Sequence, residues 1–531
     1  MMNKFLIFIG ILLSGCGANQ SFRTTEIATS GPTDLQGEYT YSTHAAGYGN
    51  IPHANVVALL PMTGNDKTIG NDIKTSLETA FLRRNNPNIK LSFYDLSGDT
   101  QRRQTTIENA LNTNPDVIIG PIFAEDAMFV RDSKSSKTPA ISFTSDVKAL
   151  GDNMVTMNLI PTQSIETIIH QMTNDGARNM LVLAPNDNSG QLMASVANKA
   201  ANAYDISVKG LYYYTPNDPE SFKDVTLRAS MHDTRVAANN RAREILSDIL
   251  TKESLSSQTR TNLRRQLEKI SRTDTLGILP YDSVLFLGNG NDSKALASFL
   301  RYYGVDNRDI AFYGTTLWNN SDIASDFTMM GAKYATLPEI SDNFKSLYTM
   351  MSGKEPDYLA AFGYDAANLA LGMLYSQKNQ SAYLFDPSGY IGTTGAFRIQ
   401  PNGESEKTLR IMELNGSGTP ITRIDAPKNF MTQIYSINTN NLRYAPEKEL
   451  NGKINPGDYI SIPDDLRSKS AYKTSSIGTK YSSETTDETP ISAPVQIYES
   501  ETTETVSNPE FESVKSETVS RKYIDSVEIE E

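Results

Sequence analysis

Residues Val56 to Gly64 read VVALLPMTG, and Asp116 to Ala127 read DVIIGPIFAEDA. Each is apolar at consecutive rather than alternate positions, ends at a proline or glycine, and passes into a helical pattern. A strand apolar on both faces must be covered on both faces, which predicts a parallel sheet with helices packed above and below. Between the two runs, Ile73, Leu77, Ala80 and Phe81 fall at helical spacing in a predicted helix from about Ile69 to Arg84. LSFYDL (Leu91 to Leu96) and a helix from Gln101 to Leu111 follow, and PAISFTS (Pro139 to Ser145) and MVTMNLI (Met154 to Ile160) extend the unit. The alternation then restarts. A helix from Ser164 to Thr173 precedes NMLVLAP (Asn179 to Pro185), and a helix from Gln191 to Ala203 precedes VKGLYYY (Val208 to Tyr214). VLFLGNG (Val284 to Gly290), a helix to Tyr303, IAFYG (Ile310 to Gly314) and a helix from about Asp357 to Tyr375 complete it. Two such units predict an α/β fold of two lobes, each with a mostly parallel sheet flanked by helices.

The rhythm breaks between Pro216 and Leu279. Residues 231 to 272 carry 9 Lys and Arg against 5 Asp and Glu, in patterns such as ILSDIL and LRRQLEKI that predict an inserted, charged helical hairpin. The chain of 531 residues has a net charge of -13, but residues 481 to 531 hold 13 Asp and Glu against 3 Lys and Arg, a net of -10. The body is nearly neutral, and the basic surface that nucleic-acid binding needs is missing. That last segment also has 16 Ser and Thr and few large apolar groups, so residues 469 to 531 are expected to form a disordered acidic tail. Residues 425 to 468 read as an extension of uncertain structure. Within it NPGDYISIP (Asn455 to Pro463) resembles the closing phrase of a LysM glycan-binding repeat but lacks the opening half, and reads as a short strand and turn.

At the other end, MMNKFLIFIGILLSGC has one lysine, an apolar run from Phe5 to Leu13 and small residues up to Cys16. The run is too short for a permanent transmembrane helix, which needs roughly 20 apolar residues, and fits a signal peptide over residues 1 to 15. Leu13-Ser14-Gly15-Cys16 resembles the lipobox of bacterial lipoproteins, which implies a diacylglycerol on the Cys16 thiol and a protein held on a membrane. Gly17 stands where an aspartate would mark inner-membrane retention, so the resemblance implies the outer membrane, facing the periplasm. Residues 16 to 53, rich in Ser, Thr, Gly and Asn, are expected to be a flexible tether to a body spanning 54 to 424.

The order of segments over residues 54 to 420 resembles a type I periplasmic-binding fold. VVALLPMTG, DVIIGPIFAEDA, PAISFTSD (Pro139 to Asp146), FGYDAANLALG (Phe362 to Gly372) and GYIGTTGAFRIQPNGE (Gly389 to Glu404) carry the resemblance. Within that superfamily the chain resembles the lipoproteins called penicillin-binding protein activators. The residues concerned are IIGPIF (Ile118 to Phe123), DTLGILPYDSVLFL (Asp274 to Leu287) and YYGVDNRDIAFYGTTLW (Tyr302 to Trp318). The resemblance implies a non-catalytic regulator whose partner is a penicillin-binding protein in peptidoglycan synthesis, and it implies no cofactor. The alternative is a solute-binding lipoprotein that feeds an amino acid or peptide to an ABC importer.

Loops that follow predicted strands define a candidate cleft for a small ligand: Thr63, Pro121, Ser142, Thr144, Ser145, Asp187, Ser189, Asn289 and Trp318. Amino-acid-binding relatives place a hydroxyl shortly after the Gly-Pro step. Here Gly120-Pro121 is followed by Ile122, Phe123, Ala124, Glu125 and Asp126, which offer acid instead. Ser142, Thr144 and Ser145 equally suit turns or helix caps, Asp187 in PNDNSG suits a turn, and Trp318 suits packing between elements. Arg241, Arg243, Arg264 and Arg265 on the insertion are the candidate surface for an acidic partner. For catalysis the sequence offers no GxSxG, SxxK or Walker loop, and GNGNDS (Gly288 to Ser293) lacks the Lys-Ser/Thr of a phosphate cradle. The four histidines, His44, His53, His170 and His232, are scattered, and one cysteine excludes an internal disulfide or a cysteine-rich zinc module. The expectation is a protein that is not an enzyme and holds no metal.

Overall fold

The computed structural model describes residues 22–24, 32–35, 53–252, 254–319, 323–376, 380–430, 435–437, 442–463 and 477–478. The expected signal peptide over residues 1–15, Cys16 and residues 479–531 of the expected tail lie outside the described residues, whereas Ile477–Gly478, inside the tail expected to be disordered, is a two-residue strand paired with Lys453–Ile454.

The first lobe begins with β1 (Ala54–Leu60), α1 (Lys67–Arg84), β2 (Ile89–Asp95), α2 (Thr100–Leu111), β3 (Val117–Ile119) and α3 (Ala124–Ser133). β4 (Ala140–Ser142) and β5 (Met154–Thr156) complete a five-stranded sheet in the order β2-β1-β3-β4-β5, parallel throughout. Val56 to Leu60 are all fully buried, as a strand covered on both faces requires.

The second lobe repeats the winding. It holds α4 (Pro161–Asn174), β6 (Asn179–Pro185), α5 (Asn188–Ala203), β7 (Ser207–Tyr214) and α6 (Pro219–Ala229). α7 (His232–Leu250) and α8 (Ser257–Ser271) form the helical hairpin, and β8 (Ser283–Phe286), α9 (Gly290–Tyr302), β9 (Ala311–Gly314) and β10 (Lys333–Thr336) resume the sheet. The stretch from Pro216 therefore divides. Phe222, Val225 and Ala229 of α6 sit in the lobe core, and the hairpin proper has its own apolar cluster, including Ile245, Leu246, Ile249, Leu263 and Ile270.

The chain then returns to the first lobe, where α10 (Asp342–Ser352) and α11 (Tyr358–Tyr375) pack on α1. GYIGTTGAFRIQPNGE folds as β11 (Tyr390–Gly392) and β12 (Gly395–Ile399), which form an antiparallel sheet with β13 (Ser405–Lys407). β14 (Arg410–Glu413) and β15 (Ile421–Ile424) close the second sheet in the order β15-β14-β10-β9-β8-β6-β7. Only the β14 pairings in it are antiparallel. Among the described residues, segments 157–160, 337–341 and 408–409 cross between the lobes.

Two expectations are corrected at the edges of the body. Part of the expected tether is docked, because Thr33–Asp34 pairs in parallel with Tyr390–Ile391 and Leu35 is buried. The extension beyond residue 424 is partly a strap over residues 442–463. Lys448 exchanges backbone hydrogen bonds with Leu211 of β7, and Leu450, Ile454, Ile460 and Ile462 are buried. Pro456–Asp458 is one short helical turn within NPGDYISIP, after the two-residue strand Lys453–Ile454.

Candidate functional site

In open α/β sheets the crevice lies beyond the carboxyl ends of the strands, where the strand order reverses. That point falls between β1 and β3 in the first lobe and between β6 and β8 in the second. Thr63 and Pro121 lie at the first, and Asp187, Ser189 and Asn289 lie at the second.

At the end of β2, Asp95 is fully engaged. Thr63 Oγ1 donates to its carboxylate at 2.5 Å, Ser97 Oγ donates at 2.9 Å, and the Met62 backbone N–H donates at 2.8 Å. Partial burial pushes the carboxyl up, but these hydrogen bonds win and hold it below the usual aspartate range. Thr63 is exposed, yet its hydroxyl is committed to this cluster.

Gly120 has a φ of +96°, and a Cβ there would stand 2.2 Å from the Leu59 carbonyl oxygen, so only glycine lets β3 turn this close to β1. Pro121 is buried behind it. The acidic residues that follow are held by Arg103 of α2, whose Nε donates to Asp126 at 2.8 Å and whose Nη2 reaches Glu125 at 2.8 Å. Burial keeps Asp126 above its ordinary value despite Arg103. The start of α3 presents an internally satisfied ion network.

The remaining hydroxyls of the first lobe divide in two. Ser142 is fully buried and donates to the Val155 carbonyl at 2.9 Å, and Thr144, also buried, accepts the Asp146 N–H at 3.1 Å. Both stitch loop to strand. Ser145 is half-buried and makes no hydrogen bond among the described residues. In the second lobe Asp187 and Asn289 are helix caps, accepting from Gly190 N at 2.7 Å and Asp292 N at 2.9 Å. Ser189 is half-buried in the first turn of α5.

Trp318 belongs to the lobe core and not to the crevice. It is 1% exposed, packs against Phe286 and Tyr334, and donates from Nε1 to Ser293 Oγ at 3.0 Å. Gly314 makes room for it, since a Cβ there would lie 2.2 Å from the indole Cε2. The loops at the strand ends also carry Met62, Phe123, Leu159 and Leu317, partly buried and apolar. The polar candidates are mostly spent on the scaffold.

Sequence reasoning missed a buried cluster beside the crossovers. Asp365 in α11 is fully buried and accepts from Thr393 N at 2.9 Å and Thr393 Oγ1 at 2.9 Å. Lys407, 5% exposed, points its ammonium over the rings of Phe362 at 4.3 Å and Phe397 at 4.9 Å. Its backbone N–H donates to Gln163 Oε1 of α4 at 3.1 Å, tying the first lobe to the second. Burial pushes Asp365 up and Lys407 down, and each charge offsets part of the shift in the other. The signal available in FGYDAANLALG was a lone aspartate inside an otherwise apolar helical run.

On the hairpin, Arg264 and Arg265 are exposed and make no ion pair among the described residues. Arg241 is exposed but pairs with Glu244 at 3.0 Å. Arg243 is corrected: it is half-buried, and its Nη2 donates to the Thr273 carbonyl at 2.8 Å and the Ile270 carbonyl at 3.3 Å, capping the end of α8. It holds the hairpin together. Among the described residues no group of three or more His, Cys, Asp or Glu is placed to hold a metal ion, and no helix is long and apolar enough to cross a membrane.

A family model described as periplasmic binding protein matches residues 54–382, well over half the chain. The chain belongs to that family. Among solved structures, a Rhodospirillum rubrum protein described as a branched-chain amino acid ABC transporter shares the fold, with a TM-score of 0.53. The match is 16% identical and covers 70% of this chain and 99% of that one. The penicillin-binding protein activator LpoA of Mannheimia succiniciproducens is 26% identical over 200 residues, covering 34% of this chain and 33% of the relative. LpoA of Pasteurella multocida is 22% identical over 194 residues, covering 35% of this chain and 31% of the relative. The chain thus spans about a third of the length of the curated relatives it matches. This member of the periplasmic binding protein family combines the two-lobed frame with a helical hairpin and a strap across it.

Proposed function

We propose that this chain is a lipid-anchored, non-catalytic protein of the periplasm, held on the outer membrane through Cys16, that binds a penicillin-binding protein and favours its active state. The observation that carries the reading is the state of the crevice. Thr63, Ser142, Thr144, Asp187 and Asn289 are bonded into the scaffold, and Glu125 and Asp126 stand after the Gly-Pro step. A transported amino acid needs a cation or free amides for its carboxylate and an unspent acceptor for its ammonium. The similarity to activators named LpoA supports the same reading. Docking raises activity when the surface binds the active form of the synthase more tightly than the inactive one.

The test is capture from solubilised membranes with the full acylated chain as bait, followed by glycan-polymerising and crosslinking assays of the captured synthase. Stimulation is the expected result. The solute-transport reading replaces it if no synthase is captured or stimulated while one amino acid or peptide at 100 times its dissociation constant stabilises the chain by roughly 2.7 kcal/mol.

A further inference from the structure

The surface of α8 opposite its apolar face carries Arg264, Arg265, Lys269 and Arg272, all exposed, against the single acid Glu268, which is paired with Arg272 at 2.5 Å. The side chains of Arg264, Arg265 and Lys269 make no ion pair or hydrogen bond among the described residues. Arg265, Lys269 and Arg272 recur at steps of four and three residues and so share one side of the helix, with Arg264 on its flank. Such a face attracts an acidic segment.

The chain delivers one to this spot. Ile460 and Ile462 are buried in the hairpin cluster, and between them the Ser461 backbone is held on both sides by the Gln266 side chain of α8, at 2.7 Å and 3.3 Å. The two residues Ile477–Gly478 then pair antiparallel with Lys453–Ile454 and pack against α7. Everything after Gly478 therefore starts beside the hairpin. That remainder contains the segment with 13 acidic and 3 basic residues over positions 481 to 531. Fifty-one residues can reach up to roughly 170 Å when extended, so distance does not prevent contact, and covalent attachment makes the encounter intramolecular.

We propose that the acidic segment 481–531 docks on the basic face of α8, so that the chain covers its own hairpin surface and gives it up only to a partner that binds that face better. This goes beyond the docking function proposed above and stands whether or not the partner is a synthase. The contact is electrostatic and salt-sensitive.

Zero-length carbodiimide coupling in the full chain tests it, because the reagent joins carboxylates only to amines they touch and Lys269 is the one amine within this face. Lys90 and Lys137, exposed on the first lobe, serve as internal references. At low salt, links from Lys269 to Asp or Glu of 481–531 are expected to exceed those from Lys90 and Lys137 by about fivefold or more, given the tethering. Arg264→Glu with Arg265→Glu, which keeps Lys269 as the reporter, should reduce that yield to the reference level. So should about 0.5 M salt, where the screening length falls to a few Å. An unchanged thermal midpoint establishes that the double variant is folded. The proposal is overturned by a Lys269 yield no higher than the references, by a yield that survives the charge reversal, or by links formed between isotopically distinct chains. The last result would assign the face to a second copy.

Discussion

Trp318 shows how far residue identity alone can be read. A single tryptophan in a loop after a strand suits a crevice wall as well as a core, and nothing in GTTLW states which way the indole turns. The deciding partners lie elsewhere in the chain: Gly314 beneath the ring, Ser293 on its nitrogen, Phe286 and Tyr334 at its sides. The same holds for Asp187 and Asn289, whose role as helix caps follows from where α5 and α9 begin. The Gly-Pro step was legible because its glycine answers a backbone demand, a positive φ against Leu59. If Trp318 is core, Trp318→Ala should cost about 3–5 kcal/mol in urea unfolding, the usual penalty for emptying a large aromatic site, with the added loss of a partner for Ser293. A stability change under about 1 kcal/mol would return the residue to the crevice.

At the scale of elements most strands and helices of both lobes were readable, since consecutive apolar positions and helical spacing report burial directly, but β10, α10, β14 and β15 went unread. NMLVLAP at Asn179 to Pro185 is β6 to the residue. The strap was not readable, because its buried residues, Leu450, Ile454, Ile460 and Ile462, are separated by polar positions and follow no period. Its hold is long-range. Glu449 accepts from Arg228 at 2.5 Å and from the Tyr212 hydroxyl at 3.0 Å, across more than two hundred residues of sequence. Two truncations separate strap from tail. A chain ending at residue 480 should melt within roughly 1 °C of the full chain, because exposed ion pairs add little to stability. A chain ending at residue 440 loses the buried side chains of Leu442, Leu450, Ile454, Ile460 and Ile462, each worth about 1.5–3 kcal/mol, and should melt many degrees lower or fail to fold. Equal melting of the two would mean that the strap contributes nothing.

For the whole molecule, the alternation of segments dictated two lobes, but not what joins them. The crossovers are fixed by contacts between distant pieces of chain: Gln163 on Lys407 N, Thr393 O on Ser341 N, and the Asp365 and Lys407 cluster beside them. This cluster places a pH dependence at the junction. Burial pushes the Asp365 carboxyl up to about 6, above the ordinary aspartate value of about 3.9 that it regains on unfolding. Between those values the native state holds a proton that the unfolded chain has lost, so the group's contribution makes stability fall as pH rises, and its full cost remains above about 6. Lys407, pushed down to about 8 by burial, acts at the other end. Its cost is complete below that pH and is relieved as pH climbs toward the ordinary lysine value of about 10.4. Between the two windows both groups are charged, and their attraction is what keeps either charge tolerable in the interior. Asp365→Asn alone removes the acid-side fall but leaves Lys407 without its counter-charge, which should lower stability at neutral pH. Asp365→Asn with Lys407→Met removes both charges, and its urea midpoint should vary less with pH than that of the wild type, across both about pH 4–6 and about pH 8–10. Identical pH profiles for wild type and double variant would mean that this pair does not titrate in the folded protein, and that the junction is indifferent to pH.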